Sequence, residues 1–140
     1  MSNNLTNNSR VKVKVKKGSK SVSSRRWLER QLNDPYVVAA KVDGYRSRSA
    51  YKLLDLNDKF KFLKKGKTVI DLGSAPGGWS QVATKIIGLP KTGKLVSVDI
   101  QDMIPIEGVS FIKGSIMDEE IIEIIQKEFP FLFGDNENDL

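Results

Sequence analysis

From Lys67 to Gln81 the chain reads Lys-Thr-Val-Ile-Asp-Leu-Gly-Ser-Ala-Pro-Gly-Gly-Trp-Ser-Gln, and few folds accept that order of residues. Thr68 to Leu72 is a short β-branched and apolar run, the pattern of a buried strand. Pro76, Gly77 and Gly78 then bring the backbone round. Trp79 opens a helical pattern continued by Val82, Ala83, Ile86 and Ile87. Strand, glycine-rich turn and helix together form the opening unit of a doubly wound α/β domain. Such domains bind ligands at the carboxyl ends of their strands.

Two familiar glycine loops are excluded. A phosphate-binding P-loop requires Gly-Lys-Ser/Thr, and no Lys follows Gly77 or Gly78. A dinucleotide fingerprint requires Gly-x-Gly-x-x-Gly, and the residue two after Gly73 is Ala75. What remains is an acid in the strand end, Asp71, then Gly73, then a glycine pair four and five residues later. That arrangement lets a cofactor lie against bare backbone without demanding a diphosphate. S-adenosylmethionine (SAM), a nucleoside joined to a charged amino acid, has this character. For Gly73 taken singly, an α/β turn with glycine for geometry alone is the competing reading.

The string from Asp71 to Gln81 resembles motif I of the FtsJ-type ribosomal RNA methyltransferases, the large-subunit methyltransferase E family. The resemblance implies an α/β, Rossmann-like methyltransferase fold with SAM as cofactor. It further implies 2′-O-ribose methylation of a uridine in large-subunit ribosomal RNA, with that RNA or the large ribosomal subunit as partner. On the same match, Gly73, Gly77 and Trp79 line the SAM site.

Upstream, Arg46-Ser47-Arg48 and Lys52-Leu53 match the family's Arg-Ser-Arg-x-x-x-Lys-Leu. By that match Lys52 is the first member of a Lys-Asp-Lys-Glu catalytic set. Without it, a lysine just before a Leu-Leu pair reads as a solvated helix charge. The helix expected here places Leu53, Leu56, Phe60 and Leu63 at helical spacing.

Downstream, Leu95 to Asp99 reads as a second strand ending in an acid 28 residues after Asp71. In nucleotide-binding α/β domains an acid at this place accepts hydrogen bonds from ribose hydroxyls. A carboxylate suits the task because it is acceptor-only and can take two hydroxyls. The resemblance gives Asp99 that role, and Asp102 beyond it reads as solvated. Val109 to Gly114 reads as a third strand. The family continues Gly-Asp-Phe, its Asp serving the adenine end of SAM, whereas this chain has Gly114-Ser115-Ile116. Ser115 offers a hydroxyl but no charge at that contact. Asp118 reads more simply as the cap of a helix from Glu119 to Glu128, with Ile121, Ile122, Ile124 and Ile125 packing.

The absence of Cys and His disfavours zinc and excludes histidine acid–base or triad chemistry. No apolar run reaches the ~18 residues of a membrane span, and Met1 to Asn8 lacks a signal-peptide core. A cytoplasmic, metal-free protein, monomeric at full length, is expected. The net charge of +6 is unevenly placed: residues 1–36 hold nine of the 23 Lys/Arg but only two of the 17 Asp/Glu. A basic extension, residues 1–36, therefore precedes a near-neutral body, residues 37–140, and suggests a polyanionic partner. The competing reading is a merely solubilising tail. Within the extension, residues 1–20, including the Val11 to Lys16 alternation, are expected to be largely disordered. A short helix over 24–32, capped by Ser23 or Ser24 and stopped at Asn33-Asp34-Pro35, is expected. The stretch from Trp27 to Val37 resembles the family's N-terminal extension, which implies that the helix presents Arg25, Arg26 and Arg30 to RNA. A helix that docks a stripe of Trp27, Leu28, Gln31 and Leu32 on the body is the other reading, and the two are compatible.

Gly134 to Asn138 reads as an acidic loop, and Asp139-Leu140 as the first step of a fourth strand. In the family, that strand and later ones carry the remaining Asp, Lys and Glu of the catalytic set. The chain is thus expected to be the N-terminal part of the family fold, with its first strand left as an open edge. A non-catalytic RNA-binding or ribosome-assembly module is the rival function. Methylation of a small molecule or a protein is disfavoured by the basic arm and the Arg46-to-Lys52 match.

Overall fold

The computed structural model describes residues 14–16, 18 and 21–130. Three helices come first: α1 (Val22–Asn33), α2 (Pro35–Asp43) and α3 (Ser49–Phe60). The α/β part follows as β1 (Thr68–Leu72), α4 (Gly78–Ile87), β2 (Lys94–Asp99), β3 (Val109–Lys113) and α5 (Glu119–Glu128). The strands form one parallel sheet in the order β1-β2-β3, with Thr68 beside Lys94 and Leu95 beside Val109. Its order is that of the first three strands of the Rossmann-like methyltransferase fold.

The middle strand, β2, is buried from Leu95 to Val98, and alternate side chains point to opposite faces of the sheet. Leu95 joins Ala50, Leu53, Leu63, Val82, Ala83 and Ile87 in a core built with α3 and α4. Val96 and Val98 join Ile121, Ile125 and Phe129 on the α5 side. Helices on both faces of a parallel sheet explain why β2 is buried on both faces and reads as a nearly continuous apolar run, broken by Ser97, rather than an alternating one. Lys94 closes the second layer, its ammonium lying 2.8 Å from the Glu128 carbonyl oxygen and 4.8 Å from the Phe129 ring centroid. A cation at a helix C-terminus also complements the helix dipole.

Several local expectations are corrected. Ser21, not Ser23 or Ser24, caps α1, accepting from the Ser24 N–H at 3.2 Å. Of the expected stripe on α1, Leu28, Gln31 and Leu32 are half-buried, whereas Trp27 is 54% exposed and none is fully buried. Asp34 does stop α1, but it also caps α2 through the N–H groups of Tyr36 and Val37, with Pro35 at the first helical position. The division expected after Tyr36 therefore falls in the first turn of a helix. α3 ends at Phe60, which is exposed, and Leu63 reaches the core from beyond the helix end. Asp118 occupies the N-cap of α5 without a side-chain capping bond. Asp102, by contrast, is solvated as expected and pairs on the surface with Lys113 at 3.1 Å.

Val15, in the basic arm, donates its N–H to Glu29 of α1 at 3.0 Å. The Val11 to Val13 part of the alternation, the Phe131-Leu132-Phe133 run, the acidic loop and the fourth-strand residues lie outside the described residues. Among the described residues, β1 pairs on one side only, and no helix is long and apolar enough to cross a membrane.

Candidate active site

The carboxyl ends of the three strands are tied together by backbone groups. Gly73 and Ser74 both donate N–H groups to the Val98 carbonyl oxygen, at 2.8 and 3.1 Å. Gly114 donates to the carbonyl oxygen of Asp99 at 2.9 Å, bringing the end of β3 beside the end of β2. The Asp99 carboxylate accepts from the Ala75 N–H at 2.9 Å through one oxygen and from the Gln101 N–H at 2.8 Å through the other. A carboxylate has about four acceptor positions, so each oxygen keeps a lone pair for a ligand. Asp99 is thus a half-buried, pre-oriented acceptor.

Gly73 holds φ at +74°, and a Cβ added there would meet no atom of the described residues within 4 Å. The backbone at this turn is bare and faces open space. Ser74 Oγ, beneath the same turn, is buried and has no hydrogen-bond partner among the described residues. Around these groups several apolar side chains remain exposed at the strand ends: Leu72 after β1, Ile100 and Ile104 after β2, Ile116 and Met117 after β3. A bare backbone, a pre-set carboxylate and an apolar rim fit a nucleoside whose ribose needs acceptors and whose base needs apolar contact.

Below the turn lies a polar network that the sequence reading missed. Ser80 on α4 donates its hydroxyl to Asp71 at 2.7 Å and lies 2.6 Å from the hydroxyl of Ser97 on β2. Burial raises the Asp71 carboxyl above its ordinary value of 3.8; the Ser80 hydroxyl opposes this and the Asp99 charge adds to it. The one local signal for this network is Ser97, a serine between Val96 and Val98 in an otherwise apolar strand core.

Trp79, at the start of α4, donates its indole N–H to the Ser49 carbonyl oxygen at 2.8 Å. That bond joins α4 to the first turn of α3, where Lys52 follows Ser49 by three residues and so shares its side of the helix. Lys52 is exposed and makes no hydrogen bond or ion pair with a described residue. Buried Tyr51 beside it anchors the helix, donating its hydroxyl to Asp43. Burial, with the Asp43 carboxylate, pushes the Tyr51 phenol well above its usual range.

Gly77 is buried at φ +118° under Arg46 and Met103. It therefore shapes the turn from below, whereas Gly73 presents open backbone. Ser115 turns its oxygen inward, accepting from the Met117 N–H at 3.1 Å, which leaves its hydroxyl proton as a donor. The structure thus brings Gly73, Asp99 and Ser115 to one end of the sheet, with Gly77 and Trp79 supporting the turn and Lys52 on the adjoining helix. A groove of about 560 Å³ lies elsewhere, along Ser23, Trp27, Leu28 and Arg30 of α1. It contains none of these residues.

Residues 45–137 match the FtsJ-like methyltransferase family. The chain is 52% identical over 120 residues to a ribosomal RNA large subunit methyltransferase E of Rhodopseudomonas palustris, a match covering 85% of this chain and 51% of that protein. It is 49% identical over 116 residues to the protein of the same name from Brucella ovis, covering 82% of this chain and 48% of the relative. The crystal structure of a ribosomal RNA methyltransferase from Plasmodium falciparum superposes with a TM-score of 0.54 at 35% identity, over 62% of this chain and 50% of that one. The chain spans about half the length of the curated relatives it matches.

Proposed function

The chain belongs to the FtsJ-like methyltransferase family, and we propose that its protein methylates the 2′ oxygen of a uridine ribose in large-subunit ribosomal RNA, using SAM. The observation that carries this reading is the Asp99 carboxylate, locked to the Ala75 N–H beside the open backbone of Gly73. Asp99 would hold the ribose of SAM through its free lone pairs. Gly73 would let the cofactor approach the backbone, and the donor left on Ser115 would serve the adenine end in place of a carboxylate. Bound SAM would supply an activated methyl group.

Lys52 would orient the 2′ hydroxyl and stabilise negative charge growing on its oxygen. An ammonium suits this because it is a compact positive point charge with three rotatable donors. Its part would be to bind and orient the hydroxyl. The Trp79–Ser49 bond would hold that lysine's helix against the turn. Positioning of this kind is worth a large share of a methyl-transfer barrier.

The exposed Arg26 and Arg30 of α1, with the lysines of the basic arm, would contact phosphates and so supply affinity without reading sequence. The decisive experiment incubates the protein and radiolabelled SAM with large ribosomal subunits and with free ribosomal RNA. The expected product is one alkali-resistant dinucleotide carrying label on a uridine ribose. Label on a base or on protein would overturn the substrate class. RNA binding without label, in a protein that binds SAM, would favour the non-catalytic module.

A further inference from the structure

Arg46 and Arg48 are one residue apart and carry the same charge, yet the fold uses them differently. Arg48 pairs with Asp34 and lies 5.4 Å from the Tyr36 ring centroid, joining α2 to the start of α3. Arg46 reaches the candidate cofactor turn. Its Nη1 donates to the carbonyl oxygens of Pro76, at 3.1 Å, and of Ile104, and its Nη2 to that of Pro105 at 3.1 Å. Its side chain also covers Gly77, where an added Cβ would lie 3.0 Å from Nη1 and 3.2 Å from Cδ. The backbone of Arg46 is fixed in turn. Its N–H donates to Gln81 Oε1 at 2.7 Å, and Gln81 Nε2 donates to the Gly44 carbonyl oxygen at 3.0 Å.

We propose that Arg46 is a positioning residue for the cofactor, a clamp that sets the gap between the Pro76-Gly77 turn and the Ile104-Pro105 loop. These segments follow β1 and β2, whose carboxyl ends form the candidate site. The guanidinium fork spans carbonyls from both loops at once, which a lysine's point charge cannot do. With three carbonyls already bound, Arg46 is not a free phosphate ligand. The inference rests on reading this cleft as a SAM site. It separates Arg46 from the RNA-contacting cations among which its charge alone would place it.

The test measures binding of S-adenosylhomocysteine by calorimetry and of ribosomal RNA by filter retention, for the parent protein, Arg46→Lys and Arg48→Lys. Arg46→Lys keeps the charge, so RNA affinity should stay within about twofold at fixed salt. Its S-adenosylhomocysteine Kd should rise at least about tenfold, the effect of losing part of a charge-assisted hydrogen-bond set. Arg48→Lys should leave that Kd unchanged. Hydrogen exchange supplies a second readout: the amides of Gly77 and Gly78 should exchange faster in folded Arg46→Lys. Equal S-adenosylhomocysteine affinity in the parent and Arg46→Lys, or an equal loss in Arg48→Lys, overturns the clamp alone. So does a global loss of fold in Arg46→Lys, which would make the arginine a general stabiliser. A parent protein that binds no S-adenosylhomocysteine overturns the cofactor site itself, and the clamp with it.

Discussion

The carboxylate of Asp99 and the backbone N–H of Ala75 are joined by a 2.9 Å hydrogen bond between the end of β2 and the turn that follows β1. One group therefore orders the turn and, in the proposed SAM site, would also face the ligand. Asp99→Ala should lose both effects. A charge-assisted hydrogen bond contributes about 1.5–3 kcal/mol, so SAM affinity should fall by roughly tenfold to a hundredfold. Asp99→Asn keeps one acceptor oxygen and should fall between the parent and Asp99→Ala. Calorimetry with SAM checks the order; unchanged affinity in Asp99→Ala would remove its role.

Lys52 predicts the opposite split. It is exposed and unpaired among the described residues, so Lys52→Ala should change stability by no more than about 0.5 kcal/mol. SAM affinity should stay near the parent's, while methyl transfer to the large subunit is lost. Single-turnover assays at saturating SAM separate the two effects. Turnover near the parent rate would mean that Lys52 does no chemistry.

The parts of this arrangement legible in the sequence are those set by short-range patterns. β1 and α5 have the bounds expected, and β3 ends one residue short of them, because β-branched runs and Ile spacing fix these elements locally. α2 is harder to see, because Asp34-Pro35 carries two signals at once: it stops α1, and it supplies an N-cap followed by proline at the first helical position of α2. Arg46 illustrates a different limit. Its acceptors at Ile104 and Pro105 lie 58 and 59 residues away, and no local pattern reports a contact of that span. The Ser80–Asp71 bond spans only nine residues, but it forms only once α4 packs over β1 and β2, which neither run shows by itself.

That buried carboxyl makes stability depend on pH in a defined direction. Burial raises the folded-state pKa of Asp71 above 3.8, so between the two values the native protein holds more protons than the unfolded chain. The contribution of Asp71 is therefore most favourable below pH 3.8 and declines as pH rises through its folded value. Asp71→Asn keeps an acceptor for Ser80 and cannot ionise. Its melting temperature should exceed the parent's at neutral pH, and the gap should close toward pH 3.8. Parallel curves across that range would show that Asp71 does not titrate under strain.

The open side of β1 sets the last expectation, for the 140-residue polypeptide by itself. Among the described residues β1 pairs only with β2, and its terminal Leu72 is 55% exposed. An unpaired strand edge offers a row of N–H and C=O groups to any second strand, and natural edges are protected by charge, proline or covering chain. Thr68 to Leu72 carries one charged group, Asp71, and that is turned to Ser80. Sedimentation should therefore show concentration-dependent association, and heating a broad, poorly reversible transition. Thr68→Lys with Leu72→Lys places charge at the exposed ends of the strand and should suppress association at little stability cost. A dilute monomer with a sharp, cooperative transition would show that the edge of β1 is already covered.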